Sequence, residues 1–305
     1  MERYLSLSFY DTSLRKTLLP LGACGIAFGL GISSKWTGFY AGAGLAILFF
    51  VSLYKRYQEY QYACQNPKGY SGGIAHSHIM ESFIPNTLKT IGFCVIFFVI
   101  IPLTIYVLCY IPFKDYSQDN FILRAWHNQF TMFNYHSKLE ATHPYSSSWY
   151  EWPTMVRPVF YYSNKLDNGM YQGISAFGNP AVWFTAMPAA AYTFYLAIVK
   201  RKATAAFLSI GLLAQFLPWT LVSRCTFLYH YFPTVPFLML IIGYVASQLK
   251  NHLKPKVFYT LCGLYTLTVI GLFILFYPVI SGAPVSGEYV DTYLRWMDGW
   301  VLIIK

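Results

Sequence analysis

The chain has 305 residues, of which 56% are hydrophobic and only 11% charged, against roughly 25% charged residues in a soluble domain; a soluble globular protein is excluded. The formal charge of +10 is the sum expected of basic loops flanking membrane spans, so it does not point to nucleic acid as a partner. Six cysteines occur without a CxxC pair, five of them in apolar segments, which reads as packing rather than disulfides or metal ligands.

About twenty apolar residues cross a bilayer core, and seven segments approach that length: 17–33, 36–54, 88–111, 178–199, 203–222, 226–247 and 257–278. The expected fold class is therefore an all-α polytopic membrane protein of about seven transmembrane helices with additional interfacial helices. The first sixteen residues carry Glu2, Arg3, Asp11, Arg15 and Lys16 and no apolar run, so no cleavable signal peptide is predicted. Residues 1–111 hold three spans, 112–177 a long polar loop, 178–278 four more spans, and 279–305 an amphipathic tail.

Orientation follows from the basic residues. Thirteen of the 22 Lys and Arg residues, including Arg15, Lys16, Lys55, Arg56, Lys68, Lys89, Lys200–Lys202 and Lys250, fall on the N-terminal side of the membrane. The long loop carries only Lys114, Arg124, Lys138, Arg157 and Lys165, with Asp115 and Asp119 among its acids. The chain is thus expected to be integral to the plasma membrane, with its N-terminus cytoplasmic and loop 112–177 and the C-terminus outside.

Taken in order, Gly22, Gly25 and Gly29, then Gly38 and Gly42, recur at three- and four-residue spacing, the small-residue face that lets membrane helices approach closely. Lys35 stands in the short turn Ser33-Ser34-Lys35-Trp36-Thr37-Gly38, where it either snorkels to the headgroups or holds a lipid phosphate. Residues 55–87 are polar and Gly-rich and read as a loop without chemistry; its His76-x-His78 pair carries little weight as a metal site. The segment 121–133 places Phe121, Ile122, Ala125, Trp126, Phe130 and Phe133 on one helical face, predicting a helix in the plane of the interface. The end of the chain repeats the device, with Val290, Tyr293, Leu294, Met297 and Val301 opposite Asp291, Arg295 and Asp298.

Between these elements lies His136 to Tyr162, HSKLEATHPYSSSWYEWPTMVRPVFYY, too polar to cross a bilayer and too aromatic for a passive linker. No Gly-rich phosphate loop accompanies it, so no nucleotide-sugar site is indicated. Transfer of a sugar from a lipid carrier needs cations for the carrier phosphate, aromatic faces for the pyranose and a carboxylate to deprotonate the acceptor. Arg157 and Arg224 lie near span ends, and a guanidinium fork matches phosphate oxygens. Tyr145, Trp149, Tyr150, Trp152, Tyr161 and Tyr162 offer stacking faces, although interfacial belts use the same residues. His127, His136, His143 and His230 show no metal-ligand spacing. Glu140, Glu151 and Asp167 are isolated acids, so no general base is nominated.

The order Thr142-His143-Pro144-Tyr145-Ser146-Ser147, Trp149, Glu151-Trp152-Pro153, Arg157-Pro158 resembles the large extracytoplasmic loop of the polyprenyl-phosphate-mannose protein mannosyltransferases, the protein O-mannosyltransferase family of GT-C membrane glycosyltransferases. Lys35-Trp36-Thr37-Gly38 and Tyr229-His230-Tyr231 resemble two further family motifs, and the last four spans resemble its C-terminal region. The resemblance implies transfer of mannose from polyprenyl-phosphate-mannose to Ser or Thr of exported proteins, with inversion. The residue chemistry nominates Lys35, Arg224 and Arg157 for the lipid phosphate, and His143, Tyr145, Trp149, Trp152, Tyr229 and His230 for sugar or acceptor; no metal ligand is nominated. The family's catalytic Asp-Glu pair belongs to an early loop, and this chain contains no such pair. The chain is accordingly expected to be a fragment, one half of a split gene with a separately encoded N-terminal partner, or an inactive homologue. No cofactor is indicated, and a divalent metal would belong with the N-terminal part. The short inserted domain of eukaryotic members is absent from the loop, which implies a bacterial member. The alternatives are a non-catalytic polyprenyl-phosphate-binding subunit and a small-solute transporter, the latter disfavoured because the spans lack interior ionisable residues.

Overall fold

Where no water can satisfy the backbone, an apolar run closes its own hydrogen bonds as a helix, and all seven segments do so. The computed structural model describes residues 1–10, 13–113 and 120–304; Asp11, Lys114, Asp115 and Asp119, counted above in the charge distribution, lie outside the described residues. The spans are Leu14–Ser34, Trp36–Gln65, His76–Leu108, Pro180–Ile198, Ala203–Leu221, Leu228–Lys250 and Pro255–Ser281. The chain divides into two units, Met1–His136 and Ser137–Lys305.

In the first unit, α1 (Glu2–Leu5) precedes α2 (Leu14–Ser34); a 3-10 turn, Trp36–Phe39, leads into α3 (Tyr40–Gln65). A small hairpin, β1 (Tyr70–Ser71) and β2 (Ile74–Ala75), joins α3 to α4 (His76–Val95), which continues through a π turn, Ile96–Ile100, into α5 (Ile101–Leu108). Pro102 has no N–H to donate and its ring crowds the carbonyl four residues back, which accounts for the widened turn just before it. The predicted glycine face packs against this segment. A Cβ on Gly25 would lie 2.2 Å from the Phe97 carbonyl oxygen, one on Gly22 3.0 Å from the Phe93 and Phe97 rings, and one on Gly29 2.9 Å from Pro102 Cα. The contacts advance together along both chains, so α2 and α4–α5 run parallel.

The stretch 55–87, expected to be a loop, is helical up to Gln65 and again from His76. Two interactions explain the difference. The first ten residues fold onto the end of α3 around the buried Arg56, whose Nη1 donates to the Tyr4 hydroxyl at 2.6 Å and Nη2 to the Leu7 carbonyl at 3.2 Å. Its guanidinium lies 4.3 Å from the Phe9 ring centroid. Burial pushes the Tyr4 and Tyr10 phenols above their ordinary range despite this neighbouring cation. The buried His76 then closes the hairpin, with one ring nitrogen on the Asn66 carbonyl and the other 2.8 Å from Ser71 Oγ.

Helix α6 (Phe121–Lys138) turns Asn128 and Gln129 inward. Asn128 Nδ2 donates to the Tyr110 hydroxyl at 2.8 Å and Gln129 Nε2 to the Tyr106 hydroxyl at 2.7 Å. Ile122, Trp126, Phe130 and Phe133 are exposed, the arrangement of a helix whose apolar face is meant for lipid.

The second unit carries a 3-10 helix, Trp149–Thr154, then strands β3 (Val159–Lys165) and β4 (Tyr171–Ala176), an antiparallel hairpin with a register shift around Tyr161. Its turn uses Gly169 at φ +78°, a conformation glycine adopts at little cost. Helices α7 (Pro180–Ile198), α8 (Ala203–Phe216), α9 (Val235–Lys250) and α10 (Pro255–Ser281) supply four spans, with 3-10 turns at Leu217–Leu221 and Leu228–Thr234.

The predicted amphipathic helix at the end of the chain forms only in its first part. After α11 (Gly287–Tyr289) and a π turn, Val290–Leu294, the chain leaves the helix and runs back along the β3–β4 hairpin. Trp300, Leu302 and Ile303 are buried there, and Trp300 Nε1 donates to the Met155 carbonyl at 2.8 Å. Gly299 permits the turn, since a Cβ would stand 2.3 Å from the Val156 carbonyl oxygen. Burying an indole outweighs the helical pattern the preceding residues suggest. Asp291 and Arg295 still pair, at 3.3 Å.

Candidate functional site

The motif-bearing loop and the segment before α9 are held together by a reciprocal pair of hydrogen bonds in the second unit. The Ser147 N–H donates to the Thr226 carbonyl at 2.9 Å, and Thr226 Oγ1 donates back to the Ser147 carbonyl at 2.7 Å. Beneath this clasp Trp152 is fully buried; its Nε1 donates to Ser147 Oγ at 3.1 Å, while its carbonyl accepts from Trp183 Nε1 at 2.8 Å. His230, also buried, lies nearly parallel to Trp152 at 6.1 Å and meets Trp219 at 4.5 Å. His230 Nδ1 lies 3.0 Å from both the N–H and the carbonyl oxygen of Phe227. Trp152 and His230 thus present no face to solvent.

The 3-10 helix that carries Trp152 is set by local chemistry. Ser148 caps it, and the Ser148 N–H donates to Glu151 Oε2 at 2.6 Å, a capping box that occupies the carboxylate. The helix ends at Met155 in the left-handed region, φ 52°, which costs a non-glycine residue on the order of 1–2 kcal/mol. Two contacts hold it there: Trp300 on its carbonyl and the Gly178 N–H, 3.1 Å from its sulfur.

Above the clasp, Arg157 Nη1 donates to the carbonyls of Pro144 and Ser146 at 3.3 and 3.2 Å. The exposed His143 meets Phe227 edge-on at 5.2 Å and Tyr145 at 5.6 Å; Tyr145 in turn meets Phe160 of β3 at 5.5 Å. Arg224, half-buried, makes a long contact of 3.4 Å to the Cys225 carbonyl. Its charge and the Tyr161 phenol both lie within electrostatic reach of the Tyr229 hydroxyl. Tyr229 stacks on Phe227 at 5.4 Å. One surface therefore gathers His143, Tyr145, Arg157, Arg224 and Tyr229. Trp149 stands apart, half-buried against Phe216 at 5.6 Å.

Glu140 and Asp167 are exposed, Asp167 in the hairpin turn. Among the described residues no group of three or more His, Cys, Asp or Glu is placed to hold a metal. In the first unit, Lys35 precedes the Trp36–Phe39 turn, where Trp36 Nε1 donates to the Tyr106 hydroxyl at 3.1 Å and to Gln129 Oε1 at 3.0 Å. This network joins the turn to α5 and α6. Sequence reasoning did not single out Thr226, Met155, Asn128 or Gln129. The one available signal was Asn128-Gln129 interrupting an apolar helix.

The model of the "C-terminal four TMM region of protein-O-mannosyltransferase" matches residues 121–300, and that of "Dolichyl-phosphate-mannose-protein mannosyltransferase" matches residues 4–117. The chain is 24% identical to a polyprenol-phosphate-mannose–protein mannosyltransferase of Mycolicibacterium smegmatis, over 90% of this chain and 57% of the relative. A Mycobacterium tuberculosis protein of the same name shows 24% identity, over 90% and 56%. Protein O-mannosyltransferase 1 of Drosophila pseudoobscura is 28% identical over 56% of this chain and 22% of its own length. In structure, the S. cerevisiae protein O-mannosyltransferase Pmt1-Pmt2 complex bound to the sugar donor matches with a TM-score of 0.51 at 20% identity, over 62% of this chain and 28% of that one. The chain spans a little over half the length of the mycobacterial relatives it matches.

Proposed function

The chain belongs to the protein O-mannosyltransferase family, and from that membership we propose that it recognises a polyprenyl-phosphate-mannose and a Ser/Thr acceptor for mannosyl transfer to exported proteins. The observation that carries this reading is the clasp between Ser147 and Thr226. It brings two arginines and a set of exposed or half-buried rings to one surface of an integral membrane protein.

In such a transfer the acceptor oxygen bonds to the anomeric carbon while the bond from that carbon to the phosphate oxygen breaks. The electron pair leaves with the polyprenyl phosphate, and the acceptor proton passes to a base. Negative charge therefore grows on the leaving phosphate, where a guanidinium stabilises it. Arg224 takes that role in the second unit, with Tyr229 within reach of its charge. Lys35 is the corresponding cation of the first unit. Arg157 braces the His143–Ser146 turn through two carbonyls, so its contribution is to position His143 and Tyr145. These two offer faces to sugar or acceptor; Trp149 stands apart from them against Phe216, and Trp152 and His230, being buried, support the surface from below. The proposed membrane is the plasma membrane, with the N-terminus cytoplasmic and the clasp outside.

A second reading, binding without catalysis, is favoured by one observation: Glu151 is engaged as a helix cap, and among the described residues no other acid stands within a buried setting. Binding of a polyprenyl phosphate to the purified chain tests both readings. Arg224→Ala should weaken it by about 1.5–3 kcal/mol, the worth of a charge-assisted hydrogen bond, and Arg224→Lys should weaken it too because the fork is lost. Unchanged affinity in Arg224→Ala would remove the assignment. For orientation, a cysteine introduced at Asn168, exposed in the hairpin turn, should react with an impermeant maleimide in intact cells; labelling only after permeabilisation would reverse the topology.

A further inference from the structure

At the opposite end of α2 from Lys35, the first unit carries a groove of about 490 Å³ between α2 and α4. Its walls are apolar, with Leu18, Ala23 and Ile26 on one side and Phe93 and Phe97 on the other. The two phenylalanine rings stack at 4.2 Å and 14°, a flat floor at the point where Gly22 lets the helices meet. From Leu14 to Ile26 the groove follows about 18 Å of helix, and both helices are membrane spans, so its surroundings are acyl chains.

What distinguishes the groove from an ordinary lipid-facing crevice is its end. Arg15 lines it, and Lys16 follows in the chain. Because α2 and α4 run parallel, with Gly22 at the level of Phe93 and Phe97, Lys89 comes to the same end. Arg15 lies seven residues before Gly22, and Lys89 four before Phe93 and eight before Phe97, so both stand about 10 Å toward the same membrane surface. An apolar slot as long as much of one leaflet, finished by three basic residues, has the chemistry of a whole anionic lipid.

We propose that this groove binds an anionic glycerophospholipid, one acyl chain along Phe93 and Phe97 and the phosphate at Arg15, Lys16 and Lys89. Basic pockets between spans select such headgroups, and each Lys or Arg near the surface contributes about a fivefold gain in affinity. The groove does not include Lys35, the first unit's cation in the reading above, which lies at the far end of α2, about 30 Å away along its axis.

The test is native mass spectrometry of the purified full chain titrated with dioleoyl phosphatidylglycerol or dioleoyl phosphatidylcholine, which share acyl chains and differ in net charge. The wild type should retain phosphatidylglycerol preferentially. Arg15→Ala with Lys89→Ala should cut that affinity about thirtyfold, while Ala23→Phe, which fills the groove and keeps the charges, should lower binding of phosphatidylglycerol without altering polyprenyl phosphate binding. Circular dichroism melts of each variant separate lost binding from lost folding, and the exposed Ala23 makes its replacement the milder of the two. Equal retention of the two lipids, or an unchanged preference in the Arg15/Lys89 variant, overturns the proposal. So does efficient cross-linking of Leu19→Cys to another polypeptide in membranes, which would show a protein helix filling the groove.

Discussion

Thr226 illustrates how much rests on one hydroxyl. It is buried, and its Oγ1 donates to the Ser147 carbonyl while its own carbonyl accepts the Ser147 N–H. Thr226→Val keeps the shape and removes the donor, leaving a buried carbonyl short of a partner; the expected loss is about 1–3 kcal/mol, read as a lower midpoint in thermal unfolding in detergent. Thr226→Ser restores the hydroxyl and should recover most of that loss. A Val variant as stable as the wild type would mean that the loop does not depend on the clasp. The sequence marked His143, Tyr145 and Trp152 as a group, because their density in a polar loop is unusual. It could not show that Trp152 points into the core while His143 points out: both are rings in one aromatic run, and only the packing against Trp183 and His230 separates them. A threonine two residues from a span end has no pattern to betray it.

At the scale of elements, helix contacts divide the glycines into two classes that spacing alone does not distinguish. Gly25→Ala would drive a methyl to 2.2 Å from the Phe97 carbonyl oxygen, backbone against backbone, so α2 and the π turn must separate, at a cost of about 1–3 kcal/mol. Gly92, with nothing within 4 Å of its added Cβ, should accept alanine with a gain of up to about 1 kcal/mol from helix propensity. Unfolding midpoints of the two variants should therefore move in opposite directions, and a common shift would contradict the assigned interface. Seven spans and the small-residue face were legible because bilayer thickness and helical spacing act on sequence directly. The β3–β4 hairpin was not, since its strands are short and one lies in the aromatic run; its Asp167-Asn168-Gly169 turn was the readable signal. The end of the chain misled for a physical reason: Val290 and Leu294 do share a buried face, but the pattern could not reveal that Trp300 has a carbonyl waiting at Met155.

For the molecule as a whole, the distribution of carboxylates sets the expectation for catalysis. Rings and cations gather at the clasp, whereas Glu151 is held by the Ser148 N–H and Glu140 and Asp167 are exposed. A positioned base contributes about 10²–10⁴-fold and orientation of the reactants considerably more, so the proposed donor and acceptor surface, with no placed base among the described residues, should bind without appreciable turnover. Residues 1–305 alone are expected to retain a polyprenyl phosphate yet transfer no mannose from polyprenyl-phosphate-mannose to a Ser/Thr peptide. Co-expression with the N-terminal part of a longer relative, carrying an acidic pair, should restore transfer. Restored transfer should then fail in Arg224→Ala, through weaker donor binding, and survive Glu151→Gln, whose amide oxygen still accepts the Ser148 N–H. Robust transfer by residues 1–305 alone, abolished by Glu140→Gln or by Glu151→Gln, would instead place the base within this chain and require the capping carboxylate, or its exposed neighbour, to leave its observed setting during the reaction.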